Sequence, residues 1–424
     1  MSTAVPSVSK SATNLRAAVD APAAAPHGLA RDLHLSPEVY ELELAKIWRT
    51  HWLFAAHSAE LHQCGERAVF DIGDGSVLVV RDDDGTARAF ENFCRHRGTR
   101  LVSGQEGAAS SVIRCPYHQW AYRLDGTLVA SGGMDRLDGL DVANYGLLPV
   151  ECAEVGGLIF VRFPGGAHEG ARQAGPAISE LTEVLRPQGL ARAKVAHRET
   201  YTVHAGWKIV WENNRECWHC HLGHPEYIRS HYDTANADLP GLQERIAERT
   251  AAMVDALGGL PAGDVYGGGG LALFPSPGRS WSANRTPLVE GYATESIDGK
   301  PLAPLMGDYE SYDVGTLRLR ALPNFWCHAN ADHAVSTRLA PSGPETTEVV
   351  VTWLVDESAE AGKDYDLEDL LTVWARTSEQ DWALCERNQQ GVRSRAYVPG
   401  PLSSRHEANV VAFHEWYREK MELS

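Results

Sequence analysis

Two short segments, Cys94-Arg95-His96 and Cys115-Pro116-Tyr117-His118, constrain this chain more than anything else in it. Each offers one thiolate and one imidazole. Segments this far apart in sequence can serve one metal centre only if the fold sets two similar loops side by side, clamping the metal from opposite sides. The flanks suit that task. Arg97-Gly98 follows the first pair, while Pro116, Tyr117, Trp120 and Tyr122 give the second loop a turn and an apolar shield.

Two Cys and two His form a structural zinc set. They are equally the set of a Rieske [2Fe-2S] cluster, in which two His replace two Cys on one iron and raise its reduction potential. Ligand order separates the readings. A zinc finger usually gives a Cys pair and then a His pair, whereas here each loop gives one of each. The reading is a Rieske cluster on Cys94, His96, Cys115 and His118, with zinc as the alternative.

A chain of 424 residues, 43% hydrophobic, can hold two domains with substantial cores. Its 39 basic and 56 acidic residues leave a net charge of −17, which disfavours nucleic acid or an anionic membrane as a generic partner. There is no run of about eighteen apolar residues, and the first residues lack the apolar core of a secretory signal, so a cytoplasmic protein is expected. Cys64, Cys94, Cys115, Cys152, Cys217, Cys220, Cys327 and Cys385 are too sparse for a disulfide framework, and metal ligation in a reducing cell is the expectation. Residues 1–26, rich in Ala, Ser and Pro, read as a disordered tail. A transit peptide is the competing reading, against which Asp20 and the prolines count.

The spacing of Val39, Leu42, Leu44, Ile47 and Trp48 predicts an amphipathic helix within an N-terminal helical segment, 27–52. Strands are predicted at 68–72, 76–81, 87–93, 112–115 and 158–163, punctuated by Gly/Asp turns, which describes an all-β domain over 53–165. Past a Gly- and Ala-rich stretch, 193–204 reads as extended and 207–219 as helical. Further strands are predicted at 282–297, 316–322, 334–339 and 347–355, with a long helix at 366–390. The fold class is therefore α+β, with a mostly antiparallel sheet and packed helices over 166–424. Gly267 to Gly270 lacks the strand-helix frame of a dinucleotide loop, so no flavin or nicotinamide site is expected.

A second ligand set lies near the end of the helix predicted at 207–219. His219 and His224 would point roughly 140 degrees apart on an unbroken helix, but Gly223 and Pro225 end it, and His224 can swing back. Glu216, His219 and Cys220 share one helical face in this reading. Two His and one carboxylate with open positions make a facial triad for iron(II). A zinc site using Cys217, Cys220 and two histidines is the alternative.

The motifs 92–98, Asn-Phe-Cys-Arg-His-Arg-Gly, and 115–120, Cys-Pro-Tyr-His-Gln-Trp, resemble those of the Rieske non-haem iron oxygenases, and the resemblance extends over most of the chain. It implies an all-β Rieske domain followed by a helix-grip-like catalytic domain holding one iron(II). Glu379, Asp381 and Glu386 share the last long helix, and position alone does not choose between them. The family's Gln-Asp, Cys-Glu and Gln-x-Gly pattern, here Gln380-Asp381, Cys385-Glu386 and Gln389-Gln390-Gly391, implies Asp381. The resemblance also implies a homotrimer in which Glu216 links His219 to His118 of the neighbouring subunit. Electrons would come from NADH or NADPH through a separate flavin/iron-sulfur reductase, and dioxygen would be the co-substrate.

Within the family, 212–220 followed by His224-Pro225-Glu226 is most similar to the subgroup that oxidises quaternary ammonium compounds, including glycine betaine and proline betaine demethylases, although Trp218 stands where Tyr is common there. The expected reaction is N-demethylation. A quaternary ammonium ion donates no hydrogen bond and is held by aromatic faces; Tyr201, Trp207, Trp211, Trp218, Phe325 and Trp326 are the aromatic residues available. Alternatives are hydroxylation or O-demethylation of an aromatic acid, which a basic residue in the pocket would favour, and a Rieske electron-transfer protein without oxygenase activity.

Overall fold

The computed structural model describes residues 26–104, 109–136, 141–164, 181–232, 239–265 and 281–423. The expected tail, save Pro26, and the Gly267–Gly270 run lie outside them. The chain opens with α1 (Arg31–Leu35) and α2 (Pro37–Glu43), and α2 continues into a π turn at Leu44–Trp48 rather than one regular helix.

Nine strands follow: β1 (Leu53–His57), β2 (Arg67–Ile72), β3 (Gly75–Arg81), β4 (Ala87–Glu91), β5 (Val112–Arg114), β6 (Ala121–Arg123), β7 (Leu128–Ala130), β8 (Pro149–Val155) and β9 (Leu158–Arg162). Six form a sheet in the order β1-β9-β8-β4-β3-β2, and β5-β6-β7 form a small second sheet. The end of β4 and the β5–β6 hairpin carry the two Cys/His segments, packed over a core that includes Leu78, Val80, Ile113 and Tyr122.

The rest of the chain runs β10 (Ala193–Val203), α3 (Trp207–Arg215), α4 (Cys220–Gly223), α5 (Leu242–Ala256), β11 (Asp264–Val265), β12 (Trp281–Thr286), β13 (Thr316–Ala321), β14 (Phe325–Ala329), β15 (His333–Gly343), β16 (Thr346–Asp356), α6 (Leu367–Val392) and α7 (Ala408–Met421). Its sheet has the order β10-β16-β15-β14-β13-β12-β11, antiparallel except for the β11–β12 pair. The strand expected over 282–297 ends at Thr286.

Because side chains alternate along a strand, this sheet has two unlike faces. Leu317, Leu319 and Ala321 of β13, with Phe325, Cys327 and Ala329 of β14, bury against Phe54, Val155, Leu158 and Phe160 of the first sheet. The opposite face presents Arg318 and Arg320, in register with Asn284, His328 and Trp326, toward α3 and α6, where Trp326 meets Trp211 and His328 meets Trp374.

Buried polar groups fix the helices. Glu43 of α2 accepts from Trp207 Nε1 at 2.7 Å and from Tyr417 Oη at 2.6 Å, and pairs with the Lys208 ammonium, all buried. At the start of α3, the His204 and Gly206 N–H groups donate to Glu386 Oε1 and Gln389 Oε1 of α6, each at 2.9 Å. A Cβ on Gly206 would sit 2.6 Å from the Pro344 carbonyl oxygen, so the approach needs glycine.

Candidate metal centres and active site

In the first loop the Cys94 N–H donates to the Thr99 carbonyl at 2.8 Å and the Gly98 N–H closes back on Cys94 at 2.9 Å; in the second, the Cys115 N–H reaches the Trp120 carbonyl at 2.7 Å. Gly98 and Gln119 both adopt positive φ, 75° and 62°, to close these turns. Cys94 and Cys115 are buried free thiols. Burial pushes the Cys94 thiol up, against the hydrogen bond with Tyr122 Oη at 3.3 Å. The His96 and His118 rings lie 4.7 Å apart, and His96 stacks on Trp120.

His96 Nδ1 is buried without a hydrogen-bond partner among the described residues. A buried orphan nitrogen beside two buried thiols and a second imidazole is costly by itself and is satisfied by a soft, positively charged metal centre. The four residues fit a [2Fe-2S] cluster.

The second site departs locally from the helical reading. α3 stops at Arg215, Glu216 is extended (φ −134°, ψ 170°), and His219 precedes the short helix α4. Glu216, His219 and Cys220 therefore do not share a helical face. Instead, Glu216 turns back: Oε1 meets His219 Nδ1 at 2.5 Å, and Oε2 accepts from the Trp218 N–H. His224, just past α4, is held at Nδ1 by Gln380 Oε1 at 2.9 Å.

Both Nε2 atoms then face Asp381. Its Oδ1 lies 3.3 Å from His219 Nε2 and 3.0 Å from His224 Nε2. The His224 Nε2 and Asp381 Oδ1 are buried without a well-angled hydrogen bond, leaving ligand atoms turned toward one small volume. Burial pulls the His219 imidazole down, but Asp381 and Glu216 outweigh it and carry the group up to about 10; His224 is raised for the same reason by Asp381. Asp381 is lowered because the two imidazoles prevail over burial. Such a site attracts positive charge, and two imidazoles with one carboxylate fit a mononuclear iron(II).

The general expectation that the cysteines serve metal ligation and not disulfides does not hold for Cys217 and Cys220, and the zinc alternative built on them goes with it. The turn brings their Cα atoms to 5.0 Å and they are disulfide-bonded, so the zinc set built on their thiolates is not formed. Although Cys220 lies close to both histidines, it is committed to Cys217.

The aromatic residues named as candidates for holding substrate mostly pack against other aromatic rings. Trp207 packs among Trp48, Phe413 and Tyr417. Phe325 packs on Phe54 and Phe160 at the cluster-domain side. Trp211 and Trp326 pack on each other, Tyr201 contacts Trp382, and Trp218 is exposed, stacked on His406. The residues beside the triad are others. Tyr227 lies 6.4 Å from the His224 ring, with Trp374 5.5 Å beyond. Buried Glu295 anchors this wall by accepting from Trp374 Nε1 at 3.0 Å and Asn330 Nδ2 at 3.2 Å and by contacting His328 and His231. No spacing in the sequence marks these residues. Only Tyr227's position three after His224 carries a signal.

Residues 190–423 match the ring hydroxylating alpha subunit (catalytic domain) family and residues 51–145 match the Rieske [2Fe-2S] domain. The chain belongs to the Rieske oxygenases. It is 37% identical, over 93% of its length and 86% of the relative's, to the glycine betaine monooxygenase oxygenase subunit of Chromohalobacter salexigens. To the subunit of the same description from Pseudomonas aeruginosa it is 34% identical, over 93% and 89% of the two chains. Among solved structures, the quaternary ammonium Rieske monooxygenase CntA with L-carnitine superposes with a TM-score of 0.68 at 20% identity, covering 97% of each chain. Naphthalene 1,2-dioxygenase from Rhodococcus sp. gives 0.64 at 19% identity, covering 93% and 94%. As a Rieske oxygenase the protein is an oxidoreductase that uses a [2Fe-2S] cluster and a mononuclear iron, takes O2 as co-substrate and receives electrons from a separate reductase. A carrier with a Rieske domain alone does not account for the catalytic half. No helix among the described residues is long and apolar enough to cross a membrane.

Proposed function

We propose that this Rieske oxygenase hydroxylates an N-methyl carbon of a quaternary ammonium compound of the glycine betaine or proline betaine type. The observation that carries this reading is identity to glycine betaine monooxygenase oxygenase subunits along nearly the whole chain. With O2, two electrons and two protons, the N-methyl group becomes an N-hydroxymethyl group and the other oxygen atom leaves as water. The hydroxymethyl compound then releases formaldehyde and a proton, leaving the tertiary amine.

In this reading Cys94, His96, Cys115 and His118 hold the cluster, and His219, His224 and Asp381 hold the iron, which when bound supplies the activation of dioxygen. Glu216 and Gln380 hold the two Nδ1 positions and fix which nitrogen of each ring faces the metal. The chain divides into an N-terminal helical segment 27–52, a cluster domain 53–165 and a catalytic domain 166–424. It works in the cytoplasm as a homotrimer in which Glu216 bridges to His118 of the neighbouring subunit, with NADH or NADPH feeding a flavin/iron-sulfur reductase.

The partly exposed Glu216 and His118 are available for that bridge. A second reading, oxidation of an aromatic acid, is favoured by two arginines buried beside the site, Arg318 and Arg320. Oxygen uptake with formaldehyde release, measured on the iron-loaded protein with reductase and NADH, separates the two. Formaldehyde equal to oxygen consumed with a betaine supports the first; coupled hydroxylation of an aromatic acid without formaldehyde replaces it.

A further inference from the structure

Arg318 and Arg320 sit on the helix-facing side of β13 and are each only 8% exposed. Arg318 Nη2 donates to Tyr227 Oη at 3.0 Å, and Arg320 Nη1 donates to Asn284 Oδ1 at 3.3 Å. Among the described residues neither guanidinium pairs with a carboxylate. The Nε of both, together with Asn284 Nδ2, is buried with no hydrogen bond. Arg215, at the end of α3, adds a third buried cation, over the Trp211 ring at 5.3 Å and also unpaired at Nε. Burial first, and Arg318 second, push the Arg320 guanidinium down to about 9; burial and Arg320 push Arg215 well down.

The buried Glu295 carboxylate on the same wall is taken up by His328, His231, Asn330 and Trp374 and not by the arginines; buried cations without a directly paired anion are costly in a protein, and buried donors without acceptors add to that cost. The atoms this group leaves unpaired, Arg318 Nε, Arg320 Nε, Arg215 Nε and Asn284 Nδ2, are all donors. Its complement is an anion with two adjacent acceptor oxygens, which is the shape a guanidinium fork matches. Its place is equally specific. The Tyr227 hydroxyl bonds Arg318 while the Tyr227 ring faces His224, so the cationic group lies one tyrosine away from the metal-facing imidazoles.

We infer that Arg318 and Arg320, supported by Asn284 and Tyr227, form a carboxylate subsite that anchors one end of the substrate and directs its other end at His219, His224 and Asp381. The inference rests on the proposed betaine reading and deepens it. The protein would select a zwitterion, a quaternary ammonium ion bearing a carboxylate, over a quaternary ammonium alcohol of similar size. Arg318 and Arg320 act by positioning.

The test is equilibrium binding by calorimetry to the metal-loaded protein, using glycine betaine, choline, tetramethylammonium and benzoate. The wild type should bind glycine betaine more tightly than choline by about tenfold to 100-fold, the range for a hydrogen-bonded charge. Arg320→Gln should remove most of that preference while leaving tetramethylammonium unchanged, with thermal melting and the cluster's visible absorption reporting that the variant is folded. Arg320→Lys, which keeps the charge and loses the fork, should fall between. Equal affinity of the wild type for glycine betaine and choline overturns the subsite and leaves the quaternary ammonium reading standing; this arm needs no variant. Binding of benzoate but no betaine, abolished in Arg320→Gln, keeps the subsite and removes the betaine reading.

Discussion

His219 and His224 are each gripped at Nδ1 by an oxygen, from Glu216 in one case and Gln380 in the other, which leaves both Nε2 atoms aimed at Asp381. Asp381→Ala should abolish turnover and remove the mononuclear iron in metal analysis while the cluster absorption persists. Gln380→Leu keeps all three ligands but frees the His224 ring, and should weaken iron binding by about 10- to 100-fold in a chelator competition. Glu216→Gln should retain both metals yet slow oxidation of the reduced cluster in single-turnover stopped flow; an unchanged rate would remove the bridge. At this scale the sequence was uneven as a guide. His219 and His224 stand out by clustering near a helix end, but Asp381 is chemically no different from Glu379 and Glu386. The structure separates them: Glu379 is exposed, and Glu386 caps the His204 N–H. Tyr227, Trp374 and the arginines were illegible because proximity created by a sheet face leaves no local spacing.

Elements with a clear period were the readable ones. Strand β2, where exposed Asp71 stands between buried neighbours, and the long helix α6 were foreseeable from alternation or length. β1 and β14 are buried on both faces, so no alternation exists to find. β6 and β7 are only three residues long. α3 ended four residues earlier than its expected helix because Glu216 bonds the following turn instead of continuing the coil. Glu43 ties α2 to α3 and α7 through one buried carboxylate. Glu43→Ala would leave the Lys208 ammonium buried and unpaired, and should cost about 3–5 kcal/mol of stability, read from urea unfolding.

For the whole molecule, buried histidines set a limit on acid tolerance. Burial holds His34 and His57 down at about 4, whereas an unfolded imidazole titrates near about 6.5. Between those values the unfolded chain binds protons that the folded chain refuses. The contribution of these two histidines is therefore full above about pH 6.5 and falls toward pH 4, by at most about 1.4 kcal/mol per pH unit for each. Urea midpoints at pH 7 and pH 5 should show this fall, and a His34→Gln, His57→Gln double variant should flatten it; parallel slopes would assign the loss to other groups. The catalytic sheet has a consequence of another kind. Along β13, odd positions are mortar between the two halves and even positions lie on the opposite face, toward α3 and α6. Parity thus sorts mutations by phenotype, and a library confined to Arg318 and Arg320 could explore new substrates while the joint between the halves stays intact.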